Sequence, residues 1–300
     1  MEHRLPTPCL PGDKIALIAP ARKISAEELA PAEAIIKAWG YEPLRSPNLF
    51  GEDHQFSGSD SERLADLQWA LDHPEIKAIL CVRGGYGSVR LVDQIVWEKF
   101  LEKPKWLIGY SDVTVLHNTI NNFGIASLHA SMPINFPQNT PESLNSLAQA
   151  LSSKPPNIEI KPHPFSLAGI AEGLLIGGNL SMLYSQCGSP SALETNSKIL
   201  FFEDLDEYLY HIDRMMFNLG RNHYFDRPAA VIIGSLTDMN DNSIPFGENA
   251  EEIVYRHLKE VPYPVAFGLP AGHLDDNRAL RFGATARLEL GSEGGLLQFC

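Results

Sequence analysis

The strongest constraint on the fold of this chain is an alternation in its first half. Short, wholly apolar runs are separated by stretches with helical spacing. The runs at 15–19, 78–82 and 106–109 are too short for buried helices and lack polar alternation, as expected of strands covered on both faces. Between them, 26–39 places Leu29, Ile35, Ile36 and Trp39 on a helical face, and 61–71 spaces Leu64, Leu67 and Leu71 by three and four. A further strand is expected over 126–130. Strands alternating with helices predict an α/β fold with a parallel sheet.

The composition shifts at Ser152-Ser153-Lys154-Pro155-Pro156-Asn157, with further prolines at Pro162 and Pro164. This predicts an N-terminal α/β domain over 1–151, a linker over 152–165 and a second α/β or α+β domain over 166–300. The second half contains strand-like runs at 173–177, 198–202, 229–234 and 265–268. Helical patterns lie near 181–186, 208–219 and 248–258, and 280–297 alternates as β structure does. The methionines of 208–219 belong to an apolar helical stripe, the ordinary signature of core packing.

A chain of 300 residues with formal net charge −13 lacks the basic surface that nonspecific nucleic-acid binding requires. No run of about 18 apolar residues predicts a transmembrane helix, so no membrane partner is expected. No apolar leader is expected before the first strand, since Met1 to Pro11 carries prolines and charges. Cys9, Cys81, Cys187 and Cys300 are scattered, without a C-x-x-C pair. Reduced thiols and a cytoplasmic location are therefore the expectation.

The segment Lys105 to His117 reads as a strand, a sharp turn and a helix, with Ser111 at the joint. A serine there points its hydroxyl out of the end of a sheet, and the N–H of Asp112 is free to stabilise an oxyanion. Val113 replaces the second glycine of the G-x-S-x-G pattern, and helix capping explains such a serine equally well. A nucleophilic serine needs a base and an acid to orient it. Glu203, at the end of an apolar strand, must find a partner if buried; Arg214 is the structural alternative, and Asp204 and Asp206 are rival acids. His273, after the strand at 265–268, is the leading base, with His129 its rival. His211 and His223 lie near Asp213 and Asp226, but no H-x-x-x-H spacing supports a metal site. The turn Arg83-Gly84-Gly85-Tyr86-Gly87 lacks a phosphate-loop pattern. It offers a second oxyanion donor, Gly85, or is simply a turn requiring positive φ.

Together these segments resemble the LD-carboxypeptidases, the S66 family of serine peptidases. The resemblance rests on Gly12-Asp13-Lys14-Ile15-Ala16-Leu17-Ile18-Ala19-Pro20, Arg83 to Gly87, Ile108-Gly109-Tyr110-Ser111-Asp112, Gly177-Gly178-Asn179-Leu180, Phe202-Glu203-Asp204 and Gly268-Leu269-Pro270-Ala271-Gly272-His273, in that order. It implies a Ser111–His273–Glu203 triad, an oxyanion hole from Asp112 and the glycine loop, and no metal or organic cofactor. It further implies release of terminal D-alanine from murein tetrapeptides during cell-wall recycling, by a cytoplasmic homodimer. Arg83 and Tyr86 are candidates for substrate binding by position. His129-Ala130-Ser131-Met132 departs from the family's His-Gly-Pro-Met. Two other readings remain: a hydrolase of peptidyl-nucleotide antibiotics within the same family, and a non-catalytic peptide-binding protein.

Overall fold

The computed structural model describes residues 3–153 and 156–300. The first half folds in the order β1 (Lys14–Ile18), α1 (Ala26–Ala38), β2 (Glu42–Arg45), α2 (Asp60–Asp72), β3 (Ile76–Cys81), α3 (Glu98–Glu102), β4 (Trp106–Gly109), α4 (Thr114–Asn122), β5 (Ser127–His129) and α5 (Pro141–Ser152). Strands β1 to β5 form a parallel sheet in the order β5-β4-β3-β1-β2. Side chains alternate across it. Ile15, Leu17, Leu80 and Ile108 pack on one face with Leu29 and Ile36 of α1 and Leu147 of α5. Ala16, Ile18, Ile79 and Leu107 pack on the other with Leu67 of α2 and Leu116 of α4. Both faces are covered, which is why these strands read as continuous apolar runs. Capping boxes at Ser25–Glu28 and Ser59–Glu62 start α1 and α2. Strand β2 was not legible, because Pro43 interrupts it; it is tolerated there because β2 lies at the sheet edge.

The second half contains β6 (Ile158–Ile160), β7 (Gly169–Asn179), α6 (Leu180–Ser185), β8 (Ile199–Leu205), α7 (Leu209–Arg221), β9 (Ala230–Thr237), α8 (Ala250–Leu258), β10 (Val265–Phe267), β11 (Leu280–Phe282), β12 (Thr285–Gly291) and β13 (Gly294–Phe299). Its sheet has the order β10-β9-β8-β7-β12-β13-β6. Strand β7 serves two regimes. Residues 169–174 pair antiparallel with β12, and 175–179 pair parallel with β8. The ladder between β8 and β9 shifts register between Phe202 and Asp204, where Gly234 and Ser235 of β9 bulge opposite Glu203.

Two expectations need adjusting. The segment 152–165 is not simply a connection: Ile158–Ile160 is the edge strand β6, paired with β13. Lys154 and Pro155, part of that expected linker, lie outside the described residues. Strand β11, placed in the second domain by sequence, hydrogen-bonds antiparallel to β5 and completes the first sheet. A three-residue strand carries no sequence signal of which sheet edge will receive it.

Candidate active site

The C-terminal ends of β1, β3 and β4 meet the C-terminal ends of β7 and β8 across a cleft of about 550 Å³. Ligand sites of parallel α/β sheets gather at these strand ends. Ser111, Gly84, Gly85, Tyr86 and Arg83 line one side, and His273 and Asp204 the other.

Ser111 follows β4 and Tyr110 and has φ of +62°. Such left-handed backbone is costly for a non-glycine residue and persists only when its surroundings enforce it. A single 3₁₀ turn over Ser111–Val113 then runs into α4. Three contacts hold this bend. Ala130 donates its N–H to Gly109 O at 3.1 Å. His117 of α4 is fully buried and reaches the same carbonyl through Nε2 at 2.9 Å, while its Nδ1 meets Ser127 Oγ at 2.8 Å. Burial lowers the His117 pKa to about 4, so it is a neutral donor to Gly109 O. Third, the buried Asp112 carboxylate accepts from Gly87 N at 3.2 Å and Ser88 N at 2.9 Å, tying the glycine turn to the serine turn. Burial raises the Asp112 pKa, against these hydrogen bonds.

The glycine turn therefore lies against Ser111. A Cβ on Gly84 would stand 3.3 Å from Ser111 Cβ, and Gly85 has φ of +107°. The N–H groups of Asp112 and Gly85 form no hydrogen bond among the described residues. Tyr86 is exposed at the cleft, its ring 6.1 Å from that of Phe56. Arg83 donates to Lys23 O at 3.1 Å and lies 3.7 Å from Glu28.

On the facing side, His273 Nδ1 meets Glu203 Oε2 at 2.6 Å. Glu203 is wholly buried and His273 nearly so. Gly272 makes the approach possible: its φ is +115°, and a Cβ there would lie 2.7 Å from Glu203 Oε2. Burial lowers the His273 pKa, but the charge and hydrogen bond of Glu203 outweigh it and the net shift is upward. Tyr110, beside Ser111 in sequence, packs its ring 4.7 Å from the His273 imidazole and donates its hydroxyl to Asn135 Oδ1 at 3.1 Å.

The rival residues make other contacts, although Asp204 and Asp206 also line the cleft. His129 is buried outside the cleft, among Tyr110, Phe201 and Phe282, with neither ring nitrogen partnered among the described residues. Arg214 stacks on Tyr210 rather than meeting Glu203. Asp204 accepts from Asn179 Nδ2, Ser181 N and Leu205 N, linking β8 to the start of α6. Burial and the charge of Glu203 push its pKa up to about 7. Asp206, in the turn after β8, accepts from Asn240 Nδ2 at 2.8 Å. His211 pairs with Glu207, His223 with Asp226, and Asp213 with His257.

Sequence reasoning missed Tyr110 as the ring packed on His273 and Arg22 as a cleft residue. Arg22 follows β1 by the turn Ala19-Pro20-Ala21, and its place just past a parallel strand's C-terminal end was the available signal.

Comparison with known proteins matches residues 15–130 to the LD-carboxypeptidase N-terminal domain and 172–288 to the LD-carboxypeptidase C-terminal domain. A murein tetrapeptide carboxypeptidase of Pseudomonas aeruginosa is 30% identical, the alignment covering 92% of this chain and 93% of that one. The crystal structure of a muramoyltetrapeptide carboxypeptidase from Oxalobacter formigenes superposes with a TM-score of 0.87 at 25% identity, covering 95% of this chain and 98% of that one. The microcin C7 self immunity protein MccF has the same fold, with a TM-score of 0.87 at 21% identity over 99% and 98% of the two chains.

Proposed function

This chain belongs to the LD-carboxypeptidase family of serine peptidases, and from that premise we propose that it releases the terminal D-alanine of murein tetrapeptides through Ser111, His273 and Glu203. The observation that carries the residue assignment is the 2.6 Å Glu203–His273 contact, made by a buried carboxylate to an imidazole that lines the same cleft as Ser111.

In this reading His273 takes the Ser111 proton as the hydroxyl attacks the scissile carbonyl. The oxyanion is held by the N–H groups of Asp112 and Gly85, which are unengaged among the described residues and adjoin the serine. His273 then protonates the departing amino group. Water, activated by the same imidazole, hydrolyses the acyl-enzyme and restores the hydroxyl. Glu203 transfers no proton; it fixes the tautomer and stabilises the imidazolium. The strained serine supports this assignment, since strain of this kind collects at reacting groups. Arg83 and Tyr86 line the cleft and belong to its substrate-binding wall.

A cytoplasmic location and a homodimeric state accompany this proposal. All four cysteines are free thiols, which suits a reducing compartment. No helix among the described residues is long and apolar enough to cross a membrane.

The test is incubation of the purified protein with murein tetrapeptide and, separately, with the pentapeptide ending in D-alanyl-D-alanine, followed by mass spectrometry. Loss of one alanine from the tetrapeptide alone is expected. Loss from the pentapeptide alone, or from neither, would overturn the substrate assignment.

A further inference from the structure

We propose that Arg22 is the residue that makes this enzyme an exopeptidase, by pairing with the free carboxylate of the departing amino acid. The inference rests on the carboxypeptidase reading above. In a carboxypeptidase substrate that carboxylate lies only three bonds from the scissile carbon, roughly 3–4 Å away. The cation that recognises it must therefore stand beside the oxyanion donors, not at the far end of the cleft.

Arg22 meets this requirement. Its side chain lies across Gly85, where an added Cβ would stand 2.8 Å from Arg22 Cγ. The neighbouring Gly84 lies against Ser111 Cβ. The arginine and the serine thus flank two consecutive glycines, whose Cα atoms are about 3.8 Å apart. The backbone of Arg22 is fixed to the same turn, donating its N–H to Gly84 O at 3.3 Å. Its guanidinium makes no hydrogen bond or ion pair among the described residues, and it lines the cleft. Arg83, the other cleft arginine, is already engaged with Lys23 O and Glu28. A free planar guanidinium can hold a carboxylate through two parallel hydrogen bonds. The glycine at position 85 then has a second role: besides its positive φ, it leaves room for the arginine stem to lie flat beside the reacting centre.

The experiment compares kcat/KM for the tetrapeptide free acid with that for the same peptide ending in D-alanine amide. The wild-type enzyme is expected to prefer the acid by roughly 10²-fold, the scale of a lost charge-assisted pair. In Arg22→Gln that ratio should collapse towards one, with the loss on the acid carried mainly by KM; Arg22→Lys should fall between. Arg22 is exposed, so both variants should fold, and thermal melts will check this. A ratio unchanged in Arg22→Gln, a ratio that collapses in Arg83→Gln instead, or a wild-type ratio near one overturns the assignment while leaving the peptidase reading intact. Failure of the wild-type enzyme to cleave the tetrapeptide overturns both.

Discussion

Ser111 and His273 face the same cleft but are held there by different means. Around the serine the restraints are hydrogen bonds to backbone groups: Gly109 O takes two donors, and the Asp112 carboxylate accepts from Gly87 N and Ser88 N at the end of the glycine turn. Around the histidine the restraint is a charge pair, one buried carboxylate against one imidazole, with Tyr110 packed on the ring. A nucleophile must keep one direction, which a rigid turn supplies. A base must gain and lose a proton, which a neighbouring charge can tune. The two halves of the site should therefore fail differently when altered.

The largest effect is expected from Ser111→Ala, a fall in turnover of about 10⁴–10⁶ with an unchanged fold. His273→Ala should match it, and the double variant should be scarcely worse, because the two groups act as one unit. Steady-state kinetics beside circular dichroism will check both. A Ser111→Ala enzyme that kept a tenth of its activity would remove the serine from the chemistry.

Next is Glu203→Gln, expected to lower turnover by about 10²–10⁴. It also bears on pH. Because the His273 pKa lies above its ordinary value of 6.5, the neutral, basic form accumulates only as pH rises through that elevated value. The pair's contribution to stability has the opposite sense. It is complete below the ordinary imidazole range and fades as pH rises through the raised pKa. The rising limb of kcat/KM should therefore have its midpoint above 6.5 in the wild type. In Glu203→Gln it should move to lower pH, since the strongest charge and the hydrogen bond that raise the ring's pKa are lost and burial is opposed only by the charge of Asp204. A midpoint that did not move would detach Glu203 from the base.

The smallest effect is expected on the nucleophile side, from Asp112→Asn. An amide can accept from one of Gly87 N and Ser88 N but turns a donor towards the other. Leaving one buried N–H unsatisfied costs about 1–3 kcal/mol, so a loss of roughly tenfold in kcat/KM and a lowered Tm are expected. The pH midpoint should stay where it is in the wild type. If it shifted with Asp112→Asn, the separation drawn between the two halves would not hold.

Strands β1, β3 and β4 were readable because parallel strands covered on both faces are continuous apolar runs. The strand–turn–helix at Ser111 was readable for the same reason, as were the strands leading to Glu203 and His273. The pairing of those two residues across 70 positions of chain was not. It depends on the bulge of β9 opposite Glu203 and the turn at Gly272, neither of which has a unique local pattern. Position at strand ends narrowed the candidates, and the family resemblance chose among them. Glu203 and Asp204 are both buried because β8 is covered on both faces, and they meet different partners, His273 for one and Asn179 and Ser181 for the other. Arg22 carries only a positional signal, its place just past the C-terminal end of β1, and nothing in the residue types of Pro20-Ala21-Arg22 adds to it.

Strand β11 gives the molecule a particular order of assembly. The edge of β5 that it covers is made of residues 127–129, while its partner is residues 280–282. During synthesis the first sheet must wait, with that edge bare, until some 150 further residues have emerged, at about 5–20 residues per second. An uncovered edge is a template for pairing with another chain. A fragment ending at residue 151 should accordingly aggregate or dimerise through β5, as size-exclusion chromatography would reveal; a monomeric, fully folded fragment would argue otherwise. The completed protein should unfold as a single cooperative unit, because its second half supplies the closing strand of its first.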